Sequence, residues 1–345
     1  MTDQGASLDL RDALEAVASG RALSVEEAEA VFDQFMAGTA SEVQMAGILV
    51  GLRAKGIEPS EVAGGVRALR KAMLPVTASD PDVLVDTCGT GGGSITTFNI
   101  STVSALVIAG AGVPVAKHGN RSFTSECGSA DVLEALGVGI ELTPERMGRV
   151  LAEVGIVFMF APLLHPAMRH VGPVRRGLGI TTIMNILGPL TNPAGARRQV
   201  VGVADPALLD LIPQALRELG HLRALVVHGE PGLDEVSPAG PTRVVELRDG
   251  DLHEYEITPE LLGVEPAPLE GLKGGGPARN AEIVEAILSG EQGPARTAVV
   301  VNAAAALLVG DAAEDWEAAA RLAEKSIDEG KAKEALDRLR AATAD

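Results

Sequence analysis

The sequence predicts an α/β protein in which a helical N-terminal part precedes a longer part built on a largely parallel sheet. Three observations carry that prediction. Residues from about Leu8 to Leu74 read as helices joined by short turns. Beyond Pro75–Pro81, short β-branched runs alternate with Ala-, Leu- and Glu-rich stretches, the pattern of parallel strands connected by helices. One hairpin signature, Thr242 to Ile257, interrupts the alternation, and the chain reads as helical again from Asn280.

Each element has a local reason. Ser24 with Glu27, and Thr39 with Glu42, fit capping boxes at helix starts. The helix after Thr39 carries Val43, Met45, Ala46, Ile48, Leu49, Val50 and Leu52, which leaves little polar surface and predicts packing on both sides. Such a helix suits a domain core or a subunit interface. Val83 to Val85 reads as a strand, Thr102 to Ala109 as a helix, Val113 to Ala116 as a strand and Asp131 to Leu136 as a helix. Thr143 caps a further helix with Pro144 in its first turn. Ile156–Phe160, Gln199–Val203 and Ala224–Val227 are further strands, and Asp249-Gly250 supplies the hairpin turn.

Composition narrows the function. A chain of 345 residues, 46% of them hydrophobic, can bury one large core or two ordinary ones. The formal net charge of −18 disfavours nucleic acid, whose binding needs clustered Lys and Arg, and disfavours adsorption to an anionic membrane. An anionic substrate then needs local help from backbone amides, basic residues or metal. Cys88 and Cys127 have neither CxxC spacing nor the partners of a zinc site, which fits a reducing cytoplasm. Met1 to Leu10 is polar and acidic, unlike a signal peptide, and the apolar run Val103–Val115 is broken by Gly and Pro and too short to span a bilayer.

Five stretches are candidates for chemistry. Asp86-Thr-Cys-Gly-Thr-Gly-Gly-Gly-Ser94 follows a strand, and Asn99-Ile-Ser-Thr102 opens a helix shortly after. A glycine-rich turn lets backbone N–H groups approach an anion, and a helix N-terminus adds partial positive charge. A lone glycine cluster is more often a tight turn. The loop together with a polar helix start favours a phosphate or pyrophosphate cradle. Lys117-His-Gly-Asn-Arg-Ser122 is expected at the carboxyl end of the next strand, facing the same crevice; a solvated basic turn is the alternative. His165 through Arg175 and Arg176 is a second basic stretch, in which one guanidinium suits a carboxylate substrate. Asp234-Glu235 ends the loop begun by His228, and adjacent carboxylates there suit Mg²⁺ or are simply an acidic turn. No nucleophile–base pair of hydrolase type stands out.

Taken together, Gly89-Thr-Gly-Gly92, Thr97 to Thr102, Lys117 to Arg121, Ala161 to Arg175, Asn185 to Pro193 and Gly232 to Ser237 resemble the anthranilate phosphoribosyltransferase family over nearly the whole chain. The resemblance implies a small helical domain plus a larger α/β domain of the nucleoside phosphorylase/phosphoribosyltransferase type, with the active site between them. It places residues 1–74, joined by part of about 166–194, in the helical domain, and residues 80–165 and 195–345 in the α/β domain. It implies that Gly89, Thr90, Gly91, Gly92, Thr97, Asn99, Ser101, Thr102, Lys117 and Ser129 bind phosphoribosyl pyrophosphate (PRPP). Gly89, His118, Asn120, Pro162, His165 and Arg175 would form the anthranilate site, and Ser101, Asp234 and Glu235 would contribute to Mg²⁺ sites. It further implies a homodimer formed through the helical domain. The sequence departs from the family pattern at Gly93, often Asp, at Thr181, often Arg, and at Thr297, often acidic.

The implied reaction joins the anthranilate amine to the anomeric carbon of the ribose and releases pyrophosphate. The amine is already a neutral nucleophile, so the demanding event is leaving-group departure. Stabilising the developing negative charge and aligning the amine should suffice without a covalent enzyme intermediate, and no residue is assigned as acid or base. A pyrimidine nucleoside phosphorylase shares the general fold, but the segments from Ala161 to Pro193 argue against that activity. A catalytically silent nucleic-acid-binding relative is disfavoured by the acidic total and by the intact Asp234–Glu235 pair.

Overall fold

A computed structural model of the chain describes residues 9–93, 95–122 and 126–344. Leu8, where helix was expected to begin, Ser94 at the end of the glycine loop and most of the polar stretch Met1–Leu10 lie outside the described residues. Four helices come first: α1 (Leu10–Ala18), α2 (Val25–Ala37), α3 (Glu42–Lys55) and α4 (Pro59–Ala72). Ser24 and Glu27 form the expected capping box on α2. The expected box on α3 is displaced by two residues. Ser41 and Gln44 form it, while the Thr39 hydroxyl donates to the Gln34 carbonyl beyond the C-terminus of α2. Both pairs satisfy the capping pattern in sequence. Gly38, in the left-handed conformation, ends α2 and leaves Thr39 in the turn.

The remainder alternates. In chain order it runs β1 (Val85–Gly89), α5 (Ile100–Gly110), β2 (Val115–Gly119), α6 (Ser129–Ala135), α7 (Pro144–Val154), β3 (Ile156–Phe160), α8 (Ala161–Leu164), α9 (Met168–Leu178) and α10 (Met184–Leu187). It continues with β4 (Arg198–Gly202), α11 (Leu208–Glu218), β5 (Arg223–Gly229), β6 (Thr242–Arg248), β7 (Asp251–Ile257), α12 (Pro277–Leu288), α13 (Pro294–Val309), α14 (Trp316–Asp328) and α15 (Lys331–Thr343). The strands form one sheet in the order β3-β2-β1-β4-β5-β6-β7. The first five are parallel, and β6 and β7 are antiparallel additions joined at Asp249-Gly250, as the hairpin signature indicated.

Two strand placements need correction. Pro81–Val83 is a single 3₁₀ turn whose start is capped by Asp80, so β1 begins at Val85 rather than Val83. Strand β2 runs from Val115 to Gly119, later than the expected Val113–Ala116. Asp86, Lys117 and His118 are therefore strand residues, whereas the sequence pattern puts both motifs just beyond the strands.

Successive side chains of β5 point to opposite faces. Leu225 and Val227 join an apolar cluster with α5 and α13, while Ala224 and Val226 join a second cluster with α11 and the N-terminal helices. The second cluster also takes in Val171 and Val174 of α9 and Leu187 of α10, so these short helices pack with the helical domain. Helix α3 buries Met45, Ile48, Leu49 and Leu52 but leaves Val43 82% and Val50 40% exposed, so within one chain it is covered on one side only. No helix among the described residues is long and apolar enough to cross a membrane.

Candidate active site

The strand order reverses between β1 and β4, and in open α/β sheets the crevice beyond the carboxyl ends of such strands is where ligands bind. Gly89 ends β1 beside Gly202, which ends β4. The glycine loop leaves from that point, with Thr90 N–H donating to the Gly202 carbonyl (2.9 Å). Gly91 (φ 69°) and Gly92 (φ 82°) adopt left-handed conformations that disfavour side chains. A Cβ on Gly89 would stand 2.4 Å from Asp234 Oδ2, so glycine there permits a close approach of the acidic loop.

Asp234 and Glu235 lie against this loop. Gly91 N–H donates to Asp234 Oδ2 (3.0 Å). Both carboxylates are half-buried rather than displayed on a surface loop. Burial, reinforced by Asp234, pushes the Glu235 carboxyl up to about 8 against the opposing influence of Lys117 and a hydrogen bond from the Ser101 backbone. Burial also raises Asp234, opposed by the Gly91 N–H. Two adjacent carboxylates that resist ionisation in a partly dry loop would be stabilised in their charged form by a cation. Among the described residues no three His, Cys, Asp or Glu side chains converge as a complete metal cage. Mg²⁺ is compatible with two protein carboxylates because it keeps waters and takes phosphate oxygens.

Asn99 precedes α5, and its side chain does not cap the helix. Instead Nδ2 donates to the Cys127 carbonyl (3.1 Å), and Oδ1 accepts from Asn280 Nδ2 (2.9 Å). Asn280 also accepts from Gly275 N–H (2.8 Å) and so locks the helix start from the far side of the chain. Lys117 is buried beneath the cradle. Its ammonium donates to the Thr87 carbonyl (2.7 Å) and to Ser101 Oγ (3.3 Å). Burial lowers its pKa, and Asp86 acts in the opposite direction. The solvated-turn alternative for this lysine does not hold. Thr102 is displaced from its expected display at the crevice: its hydroxyl is buried without a hydrogen-bond partner among the described residues, and its N–H donates to the Asn99 carbonyl. Thr90 and Thr97 are half-buried at the loop edge.

The basic segments meet on the other side of β2. His118 Nε2 lies 3.1 Å from His165 Nε2, one ring donating to the other. Burial drives His118 down to about 3, with His165 adding to the effect, and drives His165 down to about 4. Both are neutral near pH 7. Asn120 Oδ1 accepts from Arg121 N–H (2.7 Å), which leaves its Nδ2 as a donor, and Asn120 N–H donates to Ser129 Oγ (3.3 Å). Arg121 is tied to Asp131 and Glu134 and stacks over Phe160 (5.5 Å), so it braces the segment rather than serving as a free cation. Pro162 is exposed at the rim. Arg175, in the last turn of α9, is half-buried, and burial lowers its pKa. Among the described residues its guanidinium has no hydrogen-bond or ion-pair partner, so the simple structural role of pairing with an acid is not what it does here.

Sequence reasoning missed the buried residues that hold these groups. Asp86 accepts from His118 N–H (3.2 Å) and from Asn192 Nδ2 (2.8 Å), and Asn192 also donates to the Ala116 carbonyl (2.8 Å). Burial raises Asp86 to about 6 despite Lys117 and these donors. Asn192 thus ties the Asn185–Pro193 segment to β1, through Asp86, and to β2, which carries Lys117 and His118. Asn302 of α13 grips the backbone just after Glu235. The available signal was a lone amide in the otherwise apolar run Ala298–Val309.

The same arrangement of segments recurs in known proteins. Residues 81–333 match the glycosyl transferase family, a/b domain, and residues 11–73 match its helical bundle domain. The chain is 50% identical over 327 residues to an anthranilate phosphoribosyltransferase of Symbiobacterium thermophilum, covering 95% of this chain and 96% of that protein. It is 50% identical over 334 residues to one of Chloroflexus aggregans, covering 96% and 98%. Its fold matches the crystal structure of the Thermus thermophilus enzyme of that name with a TM-score of 0.91 at 46% identity, covering 96% of this chain and 99% of the other. The Saccharomyces cerevisiae enzyme in complex with PRPP and Mg matches with a TM-score of 0.87 at 26% identity, covering 97% of each chain.

Proposed function

The chain belongs to the anthranilate phosphoribosyltransferase family, and on that premise we propose how its residues divide the reaction. The enzyme transfers the 5-phosphoribosyl group of PRPP to the anthranilate amine, giving N-(5-phosphoribosyl)anthranilate and pyrophosphate in tryptophan biosynthesis. The observation that carries the assignment of the PRPP site is the acidic pair laid against the glycine loop, with Asp234 bonded to Gly91.

In this reading the backbone from Gly89 to Gly92 and the α5 N-terminus receive the pyrophosphate and phosphate oxygens. Thr90, Thr97, Asn99, Ser101 and Ser129 lie at the same edges, and Lys117 adds positive charge from beneath Ser101. Thr102 contributes through its place in the helix start, since its hydroxyl is buried. Asp234 and Glu235, with Ser101, would hold Mg²⁺, which when bound supplies charge opposite the departing pyrophosphate. The Saccharomyces cerevisiae complex with PRPP and Mg supports this use of metal.

The anthranilate carboxylate pairs with Arg175, whose planar fork is unengaged among the described residues. Asn120 offers its Nδ2, which has no partner among the described residues, and the neutral His118–His165 pair lines an uncharged wall with Pro162 at the mouth. Neutral histidines bring no positive charge to compete with Arg175 for the carboxylate. In this reading the helical domain comprises the N-terminal helices and the α9–α10 segment, which share one apolar cluster, and the site lies between it and the sheet. The exposed Val43 and Val50 of α3 support a homodimer through this domain.

The test is a double substitution, Asp234→Ala with Glu235→Ala. Turnover should fall by orders of magnitude at limiting Mg²⁺ while the fold persists. Near-normal turnover under that condition would remove the pair from the PRPP and metal site.

A further inference from the structure

We propose that Asn302 is a positioning residue for the Asp234–Glu235 pair, fixing the loop backbone so that both carboxylates address one cation. This rests on reading that pair as Mg²⁺ ligands. Asn302 lies in α13 in a run from Ala298 to Val309 whose other members are all buried and apolar, and it is itself only 4% exposed. Burying an amide in such surroundings is costly unless its polar atoms are used. Here they are. Val236 N–H donates to Asn302 Oδ1 (2.8 Å), Asn302 Nδ2 donates back to the Val236 carbonyl (2.9 Å), and Nδ2 also donates to the Ala298 carbonyl (2.9 Å). The first two bonds reproduce what a neighbouring strand would offer one residue. The third anchors the amide to its own helix and fixes its orientation.

The clamped residue immediately follows Glu235. Beneath the loop, two glycines allow the closest possible approach. A Cβ on Gly202 would lie 1.7 Å from the Asp234 carbonyl oxygen, and one on Gly229 would lie 2.5 Å from that of Glu235. The loop is therefore laid flat on the ends of β4 and β5 and held from the α13 side by Asn302. Asn302 and Glu235 also line the same small cavity, with Thr87, Ser101 and Ser104. Mg²⁺ demands near-octahedral geometry, so a modest backbone shift at Val236 should be felt by the metal first.

Asn302→Ala leaves both Val236 backbone groups unpaired. Asn302→Ser does the same but lets its hydroxyl donate to the Ala298 carbonyl, so the new side chain is not itself left unpaired. The experiment measures PRPP binding by calorimetry across Mg²⁺ concentrations without anthranilate, and separately the anthranilate KM, for both variants and for Asp234→Asn. Loss of a group that orients metal ligands typically weakens the metal about 10- to 100-fold. The half-saturating Mg²⁺ for PRPP binding should rise by at least about tenfold in both variants, with the anthranilate KM within about twofold. If Asp234→Asn shifts the Mg²⁺ dependence and the foldable Asn302 variants do not, this inference fails alone. If Asp234→Asn causes no shift, the underlying metal assignment fails with it. A parallel loss of both substrates with a lowered Tm would also overturn the proposal, because Asn302 would then support the fold in general.

Discussion

Under the proposed anthranilate site, replacing Arg175 should separate acceptor recognition from PRPP binding and from fold stability. The guanidinium is half-buried, its pKa is lowered by burial, and it has no polar partner among the described residues. A carboxylate gripped by such a fork gains two charge-assisted hydrogen bonds. Hydrogen bonds to charged groups contribute about 1.5–3 kcal/mol each, and such contributions are not additive. Taking about 3 kcal/mol for the pair, Arg175→Ala should lower kcat/KM for anthranilate about 100-fold, at about 1.4 kcal/mol per decade. Arg175→Lys keeps the charge but not the paired geometry and should lose about tenfold. If the contact is equal in ground and transition states, the loss falls on KM; if it also aligns the amine, kcat falls too. Because no native ion pair is broken, Tm should hold or rise slightly, and PRPP binding measured alone should be unchanged. Steady-state kinetics in each substrate, calorimetry with PRPP and thermal unfolding supply every quantity needed. Unaltered anthranilate kinetics in Arg175→Ala, or a lowered Tm with both substrates affected, would refute the reasoning.

Gly93 is not in a left-handed conformation, and a Cβ there would meet the Gly232 carbonyl at 3.2 Å and Asp234 Oδ1 at 3.8 Å. Gly93→Asp should therefore fold and bind PRPP after a small local shift, with an altered Mg²⁺ dependence; a folded variant unable to bind PRPP contradicts this. His118 and His165, held at about 3 and about 4 by burial, bind protons less readily folded than unfolded, where histidine titrates near 6.5. Their contribution to stability is thus present above about pH 6.5 and is lost as pH falls to about 4 for His165 and to about 3 for His118, amounting for His118 to about 2 kcal/mol at about pH 5. His118→Gln should flatten the Tm profile across that window, and an unchanged slope counts against the burial argument. Val43→Glu, at the exposed face of α3, should shift the protein from dimer to monomer in light scattering; a wild-type monomer rejects the proposed interface.

Much of the architecture was legible because its signals are local. The Asp249-Gly250 turn and the strands around it are set by neighbouring residues, and Ser24 and Thr143 cap helices as their sequences indicate. The start of β1 was not legible, because Val83-Leu84-Val85 has strand composition while Pro81 begins a 3₁₀ turn. Two overlapping capping patterns competed before α3, and the one compatible with Gly38 ending α2 prevailed. In the site, the glycine loop and acidic pair announce themselves by composition, but the contact of Gly91 with Asp234 bridges a sequence separation of 143. Asp86, Asn192, Asn280 and Asn302 act through bonds set by tertiary packing. Each is one polar residue whose meaning depends on what the fold places opposite it.

The most direct test of the function is to mix the purified protein with anthranilate, PRPP and Mg²⁺ and follow anthranilate fluorescence, identifying the product by mass. Fluorescence should be lost only when all three are present, with one pyrophosphate released for each N-(5-phosphoribosyl)anthranilate formed. Undiminished fluorescence across a broad range of pH and divalent metals, from protein shown to be folded, would contradict the account.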